Sequence, residues 1–217
     1  MHPEVFATYW PLIVSGIVLT LQISFVAIII GMVLGLLIAL ARVSGPRPLA
    51  MFASGYVEVM RNTPVLVQLL VIYLGVAEFR LRIAAIPALM IALSLNNAAY
   101  LSEIIRGGFQ SVQNGQLEAA AALGLPPSVT FPEIVVPQAL RSVYPAIGNQ
   151  FIQVVLASSI GTVIGAPELT QQISFIDSRT FRTIELLAFL TIAYAVLTLT
   201  LSLLIRALGA RLERAYR

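Results

Sequence analysis

Cysteine and lysine are missing from this chain of 217 residues, and its one histidine is His2. Without cysteine there can be no disulfide framework and no thiolate metal site. A lone terminal histidine excludes a His-ligated zinc centre. Charge is scarce: 11% of residues carry it, against about 25% in an ordinary soluble domain. So few charges cannot clothe a water-facing surface. Intrinsic disorder is excluded as well, because it needs low hydrophobicity and high charge. No glycine-rich loop of phosphate-binding spacing occurs, so the chain carries no nucleotide hydrolysis of its own. No repeat of 20–50 residues and no low-complexity tract is found. With no histidine or cysteine base and no paired carboxylates in its apolar runs, an intramembrane hydrolase lacks its chemistry. Nothing calls for a cofactor or a metal.

What is present is apolar surface. Hydrophobic residues make up 59% of the chain, and the mean hydropathy is +0.92. Uncharged runs cover residues 5–41, 62–77, 83–102, 142–167 and 186–205. A bilayer core of about 30 Å needs about 20 such residues as helix. The runs are continuous rather than alternating, which argues against a β-barrel. The expected fold is an all-α membrane protein of five transmembrane helices, a single transmembrane domain over 1–217. The spans fall at about 12–40, 57–77, 83–105, 140–165 and 186–206, the first after a short start containing Pro3 and Pro11.

All basic side chains are arginine, 13 in number. An odd number of spans puts 9 of them (42, 47, 61, 106, 141, 206, 211, 214 and 217) on one side and 4 (80, 82, 179 and 182) on the other. The richer side should be cytoplasmic, which places the N-terminus outside and the C-terminus inside. The positive balance of +3 then belongs to membrane loops and lipid contact rather than nucleic acid, with the tail 206–217 as an anchor to anionic lipid. The N-terminus has no basic n-region, so the first helix is expected to stay as a permanent span.

The connection at 107–137 is long for a helix–helix loop, where 2–8 residues are usual. Residues 116–123 (QLEAAAAL) are strong helix formers, and Gly124 stands where a C′ glycine closes a helix. Pro126 and Pro127 forbid continuation. Thr130 with Glu133 reads as a capping box, with Pro132 in the first turn, and Pro137 marks the approach to the next span. The spacing predicts a short helix, a sharp turn and a second short helix. Its Ala-rich surface suits either close approach by a partner or an interfacial turn lying on lipid.

Glu118-Ala119-Ala120 followed by Gly124, Phe131, Ile134 and Pro137 resembles the EAA signature of ATP-binding cassette importer permeases. Its surroundings, Ala99-Tyr100-Leu101-Ser102-Glu103-Ile104-Ile105-Arg106-Gly107-Gly108, Gly115-Gln116 and Pro137-Gln138-Ala139-Leu140-Arg141, resemble the polar amino-acid branch of that family. Further matching stretches are Gly16 with Thr20-Leu21, Gly35 with Ala41-Arg42 and Ser44, Arg61-Asn62-Thr63-Pro64 with Gln68-Leu69, and Ile164-Gly165 with Glu168-Leu169. The resemblance implies a type I importer permease core in a bacterial cytoplasmic membrane, translocating polar amino acids by alternating access. The implied partners are cytoplasmic ATP-binding subunits, a second permease subunit (identical or related) and an extracytoplasmic solute-binding protein. It also makes 107–137 a coupling loop. Glu118 is then the charged anchor, Ala119 and Ala120 allow close approach to the ATPase, and Gly124 makes the turn. Family members often carry a Lys and an acidic or Asn residue just before a Thr/Ser-Ser pair; here Leu156 and Ala157 precede Ser158 and Ser159.

Polar residues at membrane depth need a reason. Asn96, Asn97 and Tyr100, with Gln68, Gln153, Ser158 and Ser159, are candidates for a translocation path; each alone could serve interhelical hydrogen bonding. None is charged, which points to neutral or zwitterionic polar amino acids. Glu103 with Arg106, and Glu58 with Arg61, are spaced for i, i+3 ion pairs or for a gate. Gly31 and Gly35 form a GxxxG suited to close helix packing, here against a partner permease. The competing class is a secondary transporter or channel working without an ATPase. Internal repeats or an intramembrane acidic relay would favour it, and neither is found. A scaffolding subunit with no path of its own is a further alternative.

Overall fold

The computed structural model describes residues 3–75, 78, 80 and 82–215. Among them the structure is almost entirely helical, with short breaks between helices. Helix α1 is Pro3–Ser44, α2 is Arg47–Asn62, α3 is Val65–Gly75 and α4 is Ala85–Gln110. Then come α5 at Asn114–Ala122, α6 at Pro127–Ile164, α7 at Leu169–Thr180 and α8 at Thr183–Ala215. Four of these, α1, α4, α6 and α8, are long and apolar enough to cross a bilayer; the bent pair α2–α3 makes a fifth if it counts as one crossing.

The continuous helix expected at 57–77 does not form. The chain turns by 107° between α2 and α3. Pro64 forces the turn, because it cannot donate to the Met60 carbonyl and disfavours helix at the residue before it. The described part of α3, Val65–Gly75, rises about 16 Å, against the roughly 30 Å of a bilayer core. Residues 76 and 77 of the expected span lie outside the described residues. Pro11 has less effect than its position suggests, since α1 runs through it unbroken for 42 residues.

Helix α4 is the centre of the molecule. It packs along α1 and also meets α2, α3 and α6. Glycines set the α1–α4 distance. A Cβ at Gly31 would lie 2.9 Å from the Asn97 Cβ, and one at Gly35 would lie 2.9 Å from the Leu101 Cβ and 3.0 Å from the Ala98 carbonyl oxygen. The GxxxG therefore closes a seam inside this chain, in place of the contact with a partner permease considered above. Ile23, Ala27, Leu69, Leu89, Leu93 and Val154 form the core that joins α1, α3, α4 and α6.

A second core, with Ile13, Leu169, Ile173, Ile176 and Leu186, docks α7 between α1 and α8. Glu168 holds it in register. This carboxylate is fully buried, and its oxygens accept hydrogen bonds from the Thr170 N–H (2.9 Å), the Gln171 N–H (2.9 Å) and the Tyr194 hydroxyl (3.0 Å). It is thus the N-cap of α7, satisfying two donors the helix itself leaves open. Glu168→Ala should lower the thermal unfolding midpoint in detergent by several degrees, through a loss of about 1–3 kcal/mol. Glu168→Gln, which keeps an acceptor, should lose less. Equal midpoints for wild type and the alanine variant would contradict the capping role.

Candidate functional site

At one end of the 38-residue α6 lies α5, and at the other end α7. Helix α4 continues to Gln110, and α6 begins at Pro127. The connection is therefore shorter than 107–137 and holds one short helix instead of two. Pro126 is the extended residue before α6 and Pro127 is its first helical residue, the position where proline costs nothing. The capping box expected at Thr130 and Glu133 is absent: Thr130 is already helical, and its hydroxyl donates back to the Pro126 carbonyl at 3.2 Å. Pro132 and Pro137 do not end the helix either. A widened π turn at Phe131–Val135 absorbs the missing donors, and the helix continues into Val136–Ala157.

The end of α5 follows the expectation for Gly124. Its φ is +71°, and no atom would obstruct a Cβ there. The Leu125 N–H reaches the Ala120 carbonyl and the Gly124 N–H reaches the Ala121 carbonyl, both at 3.0 Å. These two bonds are a Schellman closure. The base is pinned by Val112, Val135 and Ala139, with the Phe109 and Phe131 rings 5.6 Å apart. The Ser111 and Ser142 hydroxyls meet at 2.8 Å, tying α4 to α6 beneath α5. Glu118 and Ala119 are exposed on the resulting knob, as are Leu117 and Leu123. Ala120 is not. It is 2% exposed, so its small side chain is covered within this chain.

Above the knob, Glu103 gathers three arginines. Arg42 binds it at 2.7 Å, Arg106 grips both of its oxygens, and Arg61 approaches to 3.9 Å. The expected Glu103–Arg106 pair is present, but inside a cluster that joins α1, α2 and α4. The expected Glu58–Arg61 pair is not formed. Glu58 accepts from Asn62 at 2.7 Å, while the Arg61 guanidinium lies over the Tyr100 ring, 5.5 Å from its centroid. Arg61 reaches across to α4, where Tyr100 and Glu103 lie.

A cleft of about 370 Å³ opens beside this cluster, between α3, α4 and α6. Asn96, Tyr100, Asn149, Gln150 and Gln153 line it together with Val65, Leu93 and Ala157. Three of the path candidates, Asn96, Tyr100 and Gln153, are thus brought together. The others are not in the lining. Gln68 is 9% exposed, and its amide N–H group donates to the Met60 carbonyl at 2.8 Å and to the Thr63 carbonyl at 3.1 Å. The Met60 carbonyl is an acceptor that Pro64 cannot serve. Gln68 is therefore a fastener for the α2–α3 bend, and it holds Asn96 through a 3.1 Å bond from the Asn96 amide to its own oxygen. Asn97 is 1% exposed and donates to the Ala27 carbonyl at 3.3 Å, on the α1 side of α4. Ser158 is fully buried, and both Ser158 and Ser159 donate to carbonyls three residues back at the start of a tightened 3₁₀ stretch.

Arg42, Arg61, Asn149, Gln150 and Glu168 are the residues that gain importance from the structure. A proline four residues after Met60 was the sequence signal for an orphaned carbonyl near Gln68. For Arg61 the spacing to Glu58 pointed to the wrong partner, and for Arg42 no spacing pointed to Glu103, since Glu103 and Tyr100 lie on α4.

A polar cleft walled by apolar crossing helices, with a rigid knob projecting at one end, defines a membrane-embedded transport subunit. Residues 27–217 match the family described as binding-protein-dependent transport system inner membrane component, and the chain belongs to that family. The arginine transport system permease protein ArtQ of Bacillus subtilis (strain 168) is 37% identical over 94% of this chain and 93% of its own length. The probable glutamine ABC transporter permease protein GlnM of the same organism is 34% identical over the whole of both chains. Among solved structures, an amino acid ABC transporter crystallised with histidines superposes with a TM-score of 0.90 at 42% identity, covering 95% of this chain and 96% of that one. The all-α, type I importer permease fold expected from the EAA resemblance is the fold found, and family membership displaces the secondary transporter or channel. It makes the chain a multi-pass inner-membrane transport subunit and implies ATP-binding subunits and a second permease.

Proposed function

We propose that this chain is the translocating subunit of an ATP-driven importer for polar amino acids, with the cleft between α3, α4 and α6 as its substrate path. The uncharged polar lining carries the reading. Asn96, Tyr100, Asn149, Gln150 and Gln153 offer amide and hydroxyl groups, and the lining holds no carboxylate. Such a surface matches neutral or zwitterionic polar amino acids, while a cationic side chain would call for an anion. Leu156 and Ala157 supply none at the positions where relatives often carry charge. The names of the relatives, which mention arginine, glutamine and histidines, support the broad class.

In this reading the N-terminus is outside, α5 projects into the cytoplasm, and the five crossings are α1, α2–α3, α4, α6 and α8. The arginine balance supports that orientation. Glu118 and Ala119 on the α5 knob dock on an ATPase subunit that hydrolyses ATP, and a solute-binding protein delivers substrate to the opposite face. Uptake into proteoliposomes should be abolished by vanadate and should persist with an uncoupler at fixed ATP. Import of arginine or lysine alone would overturn the neutral-substrate assignment. Gln153, which is exposed in the cleft, gives a graded test. Gln153→Leu should weaken transport of the preferred substrate about 2–10-fold, the value of one hydrogen bond. Ser158→Ala, whose buried side chain is outside the lining, should leave substrate selectivity unchanged.

A further inference from the structure

The Glu103 cluster is unbalanced. One carboxylate faces three guanidinium groups. Its two oxygens are already occupied: one receives Arg42 at 2.7 Å and both receive Arg106. Arg42 spends a further donor on the Ser54 hydroxyl at 3.2 Å. Arg61 is left with the 3.9 Å approach to an oxygen that Arg42 already holds, and its side chain is 41% exposed. Its guanidinium stacks on Tyr100, whose ring lines the cleft. The residue before it, Met60, touches the same site through its carbonyl, 3.4 Å from the Asn96 amide.

A cation in this position has most of its donor fork unspent, at the edge of a cavity that otherwise offers only neutral groups. A planar guanidinium fork binds a carboxylate through two parallel charge-assisted hydrogen bonds. Stacking on Tyr100 restricts its orientation in advance, so less freedom is lost on binding. The opposite end of the cleft, at Gln153 and Ala157, has neither cation nor anion among its lining residues. The lining itself is uncharged, and the nearest unspent positive charge is that of Arg61, outside the lining and against Tyr100.

We infer that Arg61 binds the α-carboxylate of the transported amino acid and orients it with its side chain toward Gln153 and Ala157. This rests on the amino-acid importer reading and deepens it by naming the substrate group held and the residue that holds it. Arg61 is then a specificity residue for the carboxylate common to all amino acids, while the amides of α6 sort their side chains. Arg42 and Arg106 are both engaged by Glu103, and Arg42 thereby ties α1 to α4.

The test is equilibrium binding to the purified permease–ATPase complex in detergent, without the solute-binding protein, so that any discrimination is the permease's own. The probes are radiolabelled L-glutamine, L-asparagine, L-histidine and L-arginine, each competed by its own α-carboxamide. For the probes that bind, wild type should prefer the acid over its amide by tenfold or more. Arg61→Gln should weaken binding of the acid about 10–100-fold, as expected for a charged hydrogen-bond pair, and bring the acid-to-amide ratio close to 1. Arg61→Lys should retain part of the preference, and Arg42→Gln should retain it in full. A purely structural cluster would instead make Arg42→Gln and Arg61→Gln equivalent. A wild-type acid-to-amide ratio in Arg61→Gln overturns the proposal; if that variant does not assemble, an undiminished ratio in Arg61→Lys does so. Failure of all four probes to bind wild type would bring down the amino-acid reading itself and this inference with it, a result distinguishable from a preference that survives the substitution.

Discussion

Gly124→Leu should insert in the membrane at wild-type levels yet import less than a tenth as much substrate, and Glu118→Ala should do the same for a different reason. At Gly124 the backbone has φ +71° and open space around it, so leucine would meet a conformational penalty of about 1–2 kcal/mol with no steric clash. That is small beside a total stability of about 5–15 kcal/mol, so the chain still folds. It is enough to open the Schellman closure and re-aim the α5 knob. Glu118 is exposed, so its removal leaves the fold alone. A carboxylate paired across an interface can be worth about 2–5 kcal/mol when truncated, which is more than tenfold in affinity for the ATPase subunit. Two measurements separate the effects. Co-purification of the ATP-binding subunit should fall for Glu118→Ala, and ATP hydrolysed per substrate imported should rise for both variants. Normal uptake by both would remove α5 from the coupling role proposed for it.

The second large effect is one of stability. Gly31→Leu and Gly35→Leu should each lower the unfolding midpoint in detergent by roughly 5–10 °C. Overpacking a tight site costs about 1–3 kcal/mol, and for a chain of this size each kcal/mol moves the midpoint by about 2–4 °C. At Gly35 the obstruction is the Ala98 carbonyl oxygen and the Leu101 Cβ, which cannot swing aside, so α1 must lift away from α4. At Gly31 it is Asn97, whose amide would lose its bond to the Ala27 carbonyl. Gly55→Ala, where a Cβ meets nothing within 4 Å, is the matched control and should be silent. Normal stability with a selective loss of permease–permease association would return the GxxxG to the role of an intersubunit contact.

Gly124 and Gln68 show the boundary between what could be read and what could not. A glycine after eight helix formers and before two prolines has few conformations open to it, and the helix closure forms as those residues demand. Gln68 carries no such constraint of its own. Its function is to serve a carbonyl that Pro64 leaves unpaired, and only the 107° bend brings the two together. Thr130 and Glu133 erred in the opposite direction. They have the spacing of a cap, but α6 had already started at Pro127, where proline fits the first turn without help.

Asn96 and Asn97 make the same division at the cleft. Adjacent residues on a helix point about 100° apart, so one of the pair had to leave the face occupied by the other. Periodicity alone could not say which neighbour each would meet; the packing of α1 against α4 placed Asn97 in a seam and left Asn96 to the cleft. By itself the amino-acid sequence determined the membrane class, the apolar segments, the glycine-closed knob and the family, because these depend on local composition and on backbone constraints carried by single residues. The tertiary structure alone decided which polar side chains face one another, which arginine Glu103 leaves unspent, and how sharply the chain bends between α2 and α3. Those outcomes depend on distances between helices far apart in the chain, which no local pattern encodes.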